Sequence, residues 1–168
     1  MGFLTPMDRA YGTVFDNGQA EIRYQSRYTL YDQTGSIVVE NWETGFRSVS
    51  PTLYLHLTEG STYTLVSSHG QELATLQFVR KEPDLKQDGG GLMAYLETDS
   101  LCKIVDSQGN LIATIDDGRT LNWSASGFQN GLLYLYGMPG VENADTSLRV
   151  YLPNGQLLSH FPHSALQE

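Results

Sequence analysis

One cysteine, Cys102, stands in a chain of 168 residues. A single thiol cannot form an internal disulfide and is too few for a zinc site, so Cys102 reads as a small hydrophobe in an apolar run. Charge is scarce as well. Only 17% of residues are charged, against roughly a quarter in an average globular protein. Cations are the scarcer sign, with ten Lys+Arg against 19 Asp+Glu and a net charge of −9. That balance excludes the phosphate backbone of nucleic acid and an anionic membrane surface as expected partners. No apolar run approaches the roughly 18 residues that span a bilayer, so no membrane insertion is expected. The first residues, "MGFLTPMDRA", lack the basic and long apolar segments of a secretory signal. Pro6 stands where a myristoylation site requires Ser or Thr. No G-x-S-x-G, H-E-x-x-H or D-x-D-x-D-G motif occurs, and no cofactor is expected.

What replaces the missing charge is glycine, tyrosine, serine and threonine, with 17 Gly and 10 Tyr. Such a composition favours strands and tight turns over helices. One phrase then recurs: "YTLYDQTGSIVV", "YTLVSSHGQELATL", "CKIVDSQGNLIATI" and "LRVYLPNGQLLSHF", anchored at Gly35, Gly70, Gly109 and Gly155. Five residues before each glycine stand Leu30, Leu65, Ile104 and Val150; three residues after stand Val38, Leu73, Ile112 and Leu158. Each phrase reads as a hairpin whose glycine supplies a positive φ. A further strand precedes three of them: "LYLHL", "LMAYL" and "LLYLY". These are apolar on both faces, as expected of sheets covered on each side.

The repeated unit, three or four short antiparallel strands in about 40 residues, resembles the blade of a β-propeller. The resemblance covers residues 12–161, without the Gly-His and Trp-Asp marks of WD40 or an in-register kelch double glycine. It implies an all-β, propeller-like array of about four antiparallel blades, with a two-sheet β-sandwich as the alternative. The reading is one repeat-built domain over 1–168, with blades near 12–41, 42–79, 80–116 and 117–161. Four blades suffice for the smallest closed ring, whereas an open row would expose apolar faces, which invites closure by a homodimer or by more chain.

Chemistry is harder to find. His160 and His163 are three apart but flank Pro162, which argues against a metal-binding helix. Asp116-Asp117-Gly118 falls short of the six to eight oxygens a calcium ion takes and reads as an exposed turn. The strands "LYLHL", "LMAYL" and "LLYLY" hold no acids, which lowers the case for an enzyme. The propeller resemblance sorts the loops into two sets, and the set opposite the glycine turns carries two-thirds of the net negative charge. Loops on a rigid scaffold are where recognition resides. The candidate binding residues are therefore Trp42, Glu43, Glu59, Glu97, Asp99, Asp116, Asp117, Glu142 and Asp145. Trp42 is a ring on which a sugar or peptide could stack, whereas Trp123 reads as packed between blades. The expected function is a non-catalytic module that binds a protein or glycan through acidic loops. The alternatives are a propeller glycan hydrolase or lyase with channel carboxylates, and a purely structural repeat segment. Few lysines and many tyrosines and threonines favour an extracellular or cell-surface setting.

Overall fold

The computed structural model describes residues 10–162, so His163 and the first nine residues lie outside it. Sixteen strands form four separate antiparallel meanders, and no helix occurs among the described residues. Sheet 1 contains β1 (Tyr11–Val14), β2 (Ala20–Tyr24), β3 (Arg27–Tyr31) and β4 (Ile37–Trp42). Sheet 2 contains β5 (Phe46–Ser50), β6 (Leu53–Glu59), β7 (Thr62–Ser67) and β8 (Glu72–Gln77). Sheet 3 contains β9 (Lys86–Gln87), β10 (Met93–Leu96), β11 (Leu101–Val105) and β12 (Leu111–Asp116). Sheet 4 contains β13 (Gly127–Gln129), β14 (Leu132–Tyr136), β15 (Leu148–Tyr151) and β16 (Leu157–Phe161). Four four-stranded meanders are the blade architecture, not the two sheets of a sandwich. The chain divides into two compact units, 1–76 and 77–168.

The glycine turns explain why the phrase repeats. All four anchors have φ between 81° and 88°, a region that a side chain enters at a cost. In every copy the anchor N–H donates to the carbonyl three residues back, and that residue's own N–H donates to the carbonyl after the glycine. Asp32, Ser67 and Asp106 close the turn further, each accepting two backbone N–H groups on one side-chain oxygen. Gly18 builds a fifth turn of the same bonding pattern between β1 and β2. Its Asn17-Gly18 pair was a signal in plain view.

The two apolar positions of the phrase have different fates. Leu30, Leu65 and Ile104 are wholly buried and Val150 nearly so. The position three after the glycine is exposed at Ile112 and Leu158 and half-buried at Val38 and Leu73. A bulge is the reason. Leu30, Ile104 and Val150 pair with Val39, Ala113 and Ser159, four residues past the anchor, so the residue at three is skipped.

Within the first unit, Leu30 and Val39 of sheet 1 pack on Phe46 and Tyr54 of sheet 2. The turn at Gly70 lies so close to β4 that a Cβ there would stand 2.8 Å from the Val38 carbonyl oxygen. The second unit repeats the arrangement. Ile104, Ala113 and Ile115 of sheet 3 pack on Leu133, Leu135 and Tyr151 of sheet 4, and a Cβ at Gly155 would stand 3.1 Å from that of Ala113. Cys102 is fully buried in this second core, and burial followed by the charge of Asp117 pushes its thiol up to about 12.

Candidate functional site

The chain between β8 and β9 has no strand of its own, yet its path is fixed. Val79 donates its backbone N–H to Leu96 at 2.9 Å, and Phe78 is buried against Tyr95 with ring centroids 5.0 Å apart. A second irregular segment, 117–126, is tied down by Leu121 N–H to the Asp99 carbonyl and Asn122 N–H to the Tyr136 carbonyl, both 2.8 Å. Between these segments opens a cavity of about 270 Å³ in the second unit. Phe78, Leu121, Trp123 and Met138 supply its apolar lining; Glu82, Asp84, Asp99 and Arg80 supply its charge.

Trp123 is held rather than loose. Its indole Nε1 donates to the Asp84 carbonyl at 3.0 Å, and the ring packs on the core of the unit. The Lys86 ammonium lies 5.7 Å from the ring centroid and 3.4 Å from the Asp84 carboxylate. A ring beside a carboxylate thus already accommodates one cation of the chain itself.

The nine sequence candidates separate when their partners are traced. Trp42 is half-buried, its ring 4.9 Å from Phe46 and 4.0 Å from His56 by centroids. Glu43 pairs with Arg27 at 3.1 Å and Glu97 with Lys103 at 2.8 Å. Asp117 is no exposed turn: its side chain is wholly buried. It accepts from Arg119 Nε and Nη2, from the Tyr151 hydroxyl at 2.8 Å, and pairs with Arg149 at 3.3 Å. Burial of a carboxylate demands such partners, and Arg119 and Arg149 sit too far along the sequence from each other to announce them. Asp145 joins the same group through Arg149 and Arg119. The Ser147 hydroxyl and N–H, and then the two guanidinium groups, hold the Asp145 carboxyl below its ordinary range.

Glu59, Asp99, Asp116 and Glu142 are left exposed with no ion pair to a described residue. Of the nine, Asp99 alone lines the cavity. Phe78, Trp123 and Met138 were missed as site residues because an apolar residue reads as core until the cavity beside it is seen. Among the described residues no group of three or more His, Cys, Asp or Glu is placed to hold a metal ion.

No protein-family model and no curated protein matches the chain. Solved structures do. The chain is similar to KlHsv2 with loop 6CD replaced by a Gly-Ser linker, with a TM-score of 0.52 and 10% identity, over 91% of this chain and 52% of that one. It is similar to a eukaryotic initiation factor with a TM-score of 0.54 and 10% identity, over 92% of this chain and 42% of that one. Both are β-propeller proteins, and the likeness shows the fold. The chain spans about half the length of these structures or less.

Proposed function

We propose that the chain is a non-catalytic β-propeller interaction module that binds a protein partner through acidic loops, with a basic side chain of that partner entering the cavity of the second unit. The observation that carries this reading is Asp99, an unneutralised carboxylate at the rim of a cavity whose wall is Trp123 and Met138. A lysine or arginine has an apolar stem and a cationic head, which suits an apolar wall with a carboxylate at its mouth. The paired acids Asp117 and Asp145 serve differently: they tie the segments 116–119 and 145–149 together. A glycan partner finds less support, because the ring it would stack on, Trp42, lies against Phe46 and His56.

The test uses the fluorescence of Trp123 in a Trp42→Phe background. Titration with a hexa-arginine peptide at low salt should give a saturable change that weakens as salt rises. Asp99→Asn should weaken binding about fivefold, equivalent to roughly 1 kcal/mol for one charged contact, and hexaglutamate should do nothing. No saturable change with hexa-arginine would reject the reading and leave a structural repeat segment. The carboxylates Glu82, Asp84 and Asp99 around one cavity are also the place for a hydrolase to act. Turnover of a glycoside panel that disappears in Asp99→Asn would favour that alternative.

A further inference from the structure

Three polar side chains of the first unit brace its turns against one another. The Tyr54 hydroxyl donates to Gln19 Oε1 at 2.6 Å and accepts from Asn17 Nδ2 at 2.7 Å. Asn17 Nδ2 also reaches the Pro51 carbonyl at 2.8 Å, and Gln19 Nε2 donates to the Ser68 carbonyl at 2.8 Å. Tyr54 is wholly buried and Gln19 is 6% exposed. A groove of about 490 Å³ opens beside this brace, lined by residues of the first unit alone. Its size falls within the roughly 300–1,000 Å³ of small-molecule sites, and it shares no residue with the cavity of the second unit. Pro51, Ile37 and Val38 form its aliphatic part. Ile37 and Val38 are consecutive, yet both line it, because the bulge between the Leu30 and Tyr31 pairs skips Val38.

The polar groups of the groove keep unused hydrogen-bonding capacity. Gln19 Nε2 has a second N–H beyond the one donated to Ser68. Gln33 donates through Nε2 to the Asn17 carbonyl at 2.5 Å, and its Oε1 accepts from no described residue. Asp32 accepts the Thr34 and Ser36 N–H groups and the Thr34 hydroxyl on Oδ1, while its Oδ2 has no partner among the described residues. That hydroxyl, then the Ser36 N–H, hold the carboxyl below its ordinary range, so it is an acceptor only. The His69 ring is exposed in the turn whose Gly70 lies against β4. It carries an N–H in either tautomer.

We propose that this groove binds a neutral pyranose, whose vicinal hydroxyls bond Asp32, Gln19, Gln33 and His69 while a C–H face of its ring rests on Ile37 and Val38. Donors and acceptors stand side by side there, and a hydroxyl is both. An anion would meet the Asp32 carboxylate, and no Lys or Arg lines the groove among the described residues. A metal ion would meet that single carboxylate, where calcium takes six to eight oxygens. An extended peptide turns the N–H and C=O groups of successive residues to opposite sides, so it engages such a cluster with only every second residue. The Asn17 and Gln19 amides are already fixed by Tyr54, so a ligand orders little on binding. The aliphatic floor serves the ring without Trp42.

Side-chain amide NMR signals of the whole chain read the site. Titration with D-glucose, D-galactose, D-mannose and N-acetyl-D-glucosamine runs to about 100 mM, a hundredfold excess over a millimolar Kd. At least one of these sugars should shift the Gln19 and Gln33 amides saturably. Cyclohexanol, a six-membered ring with one hydroxyl, should shift neither. Asp32→Asn and His69→Ala should each weaken that sugar at least about threefold, the worth of one net hydrogen bond. Should Asp32→Asn lose the dispersed spectrum, His69→Ala decides, because it removes only an exposed ring. Silence from all four sugars, equal shifts with cyclohexanol, or full affinity in His69→Ala would overturn the proposal. Shifts from tetra-alanine with none from a sugar would overturn it in favour of a peptide. Hexa-arginine binding, read at Trp123, should be unchanged in His69→Ala, so the two sites fail or hold independently.

Discussion

Asp116 and Asp117 are neighbours in sequence and opposites in the structure, which makes the pair a sharp test. The Asp117 side chain has no exposure, while Arg119 and Arg149 beside it are 9% and 24% exposed. Asp117→Asn keeps the volume but removes the charge, and turns an amide NH2 toward guanidinium donors and the Tyr151 hydroxyl. Breaking a buried ion pair by removing one partner costs about 3–5 kcal/mol, because the other charge stays buried. With a urea slope of about 2 kcal/mol/M, the unfolding midpoint of the second unit should fall by about 2 M. Asp116 is exposed, and Asp116→Asn should change stability by no more than about 0.5 kcal/mol. Urea titrations followed by Trp123 fluorescence, with Trp42 replaced by Phe, read the second unit directly. Equal midpoints for the two variants would refute the buried-network reasoning, and a cost confined to Asp116→Asn would invert it.

Two further outcomes follow from burial. Leu65→Ala and Ile104→Ala empty fully buried sites and should each cost about 2–5 kcal/mol, read as a lowered urea midpoint; wild-type midpoints for both would break the repeat alignment. Burial, the leading cause in each case, raises Cys102 from 9.0, and Tyr95 and Tyr151 from 10.0, to about 12. Each group is neutral when protonated, and the unfolded chain releases its proton first as pH rises, so their contribution is whole below about pH 9 and is lost between pH 9 and 12. The midpoint should therefore fall across that window, and a flat profile from pH 8 to 11 would contradict it.

The strand-turn grammar of this protein is local, and that is why it was legible. All four hairpins share a glycine at positive φ and an apolar residue five before it, and three of them an Asp or Ser three before it, all within about a dozen residues. Repetition of that hairpin then carried the blade architecture, because a two-faced apolar strand must be covered by a neighbour. The skipped residue at Ile112 and Leu158 was not legible. An apolar residue in an outer strand looks the same whether or not a bulge turns it to solvent.

The charged candidates mark the other boundary. Composition determined that the loops are acidic, but only the tertiary structure decided which acids have partners. Asp117 meets Arg149 across 32 residues of sequence, and Trp123 meets the Asp84 backbone across 39. Such pairings are set by how the sheets stack, and no spacing rule encodes them. Side-chain alternation likewise predicts two faces for every strand, while coverage by a neighbouring sheet decides which face is core. Ile22 in β2 and Leu133 in β14 are the same kind of residue in the second strand of their sheets; one is 38% exposed and the other 0%, because sheet 3 lies over the second.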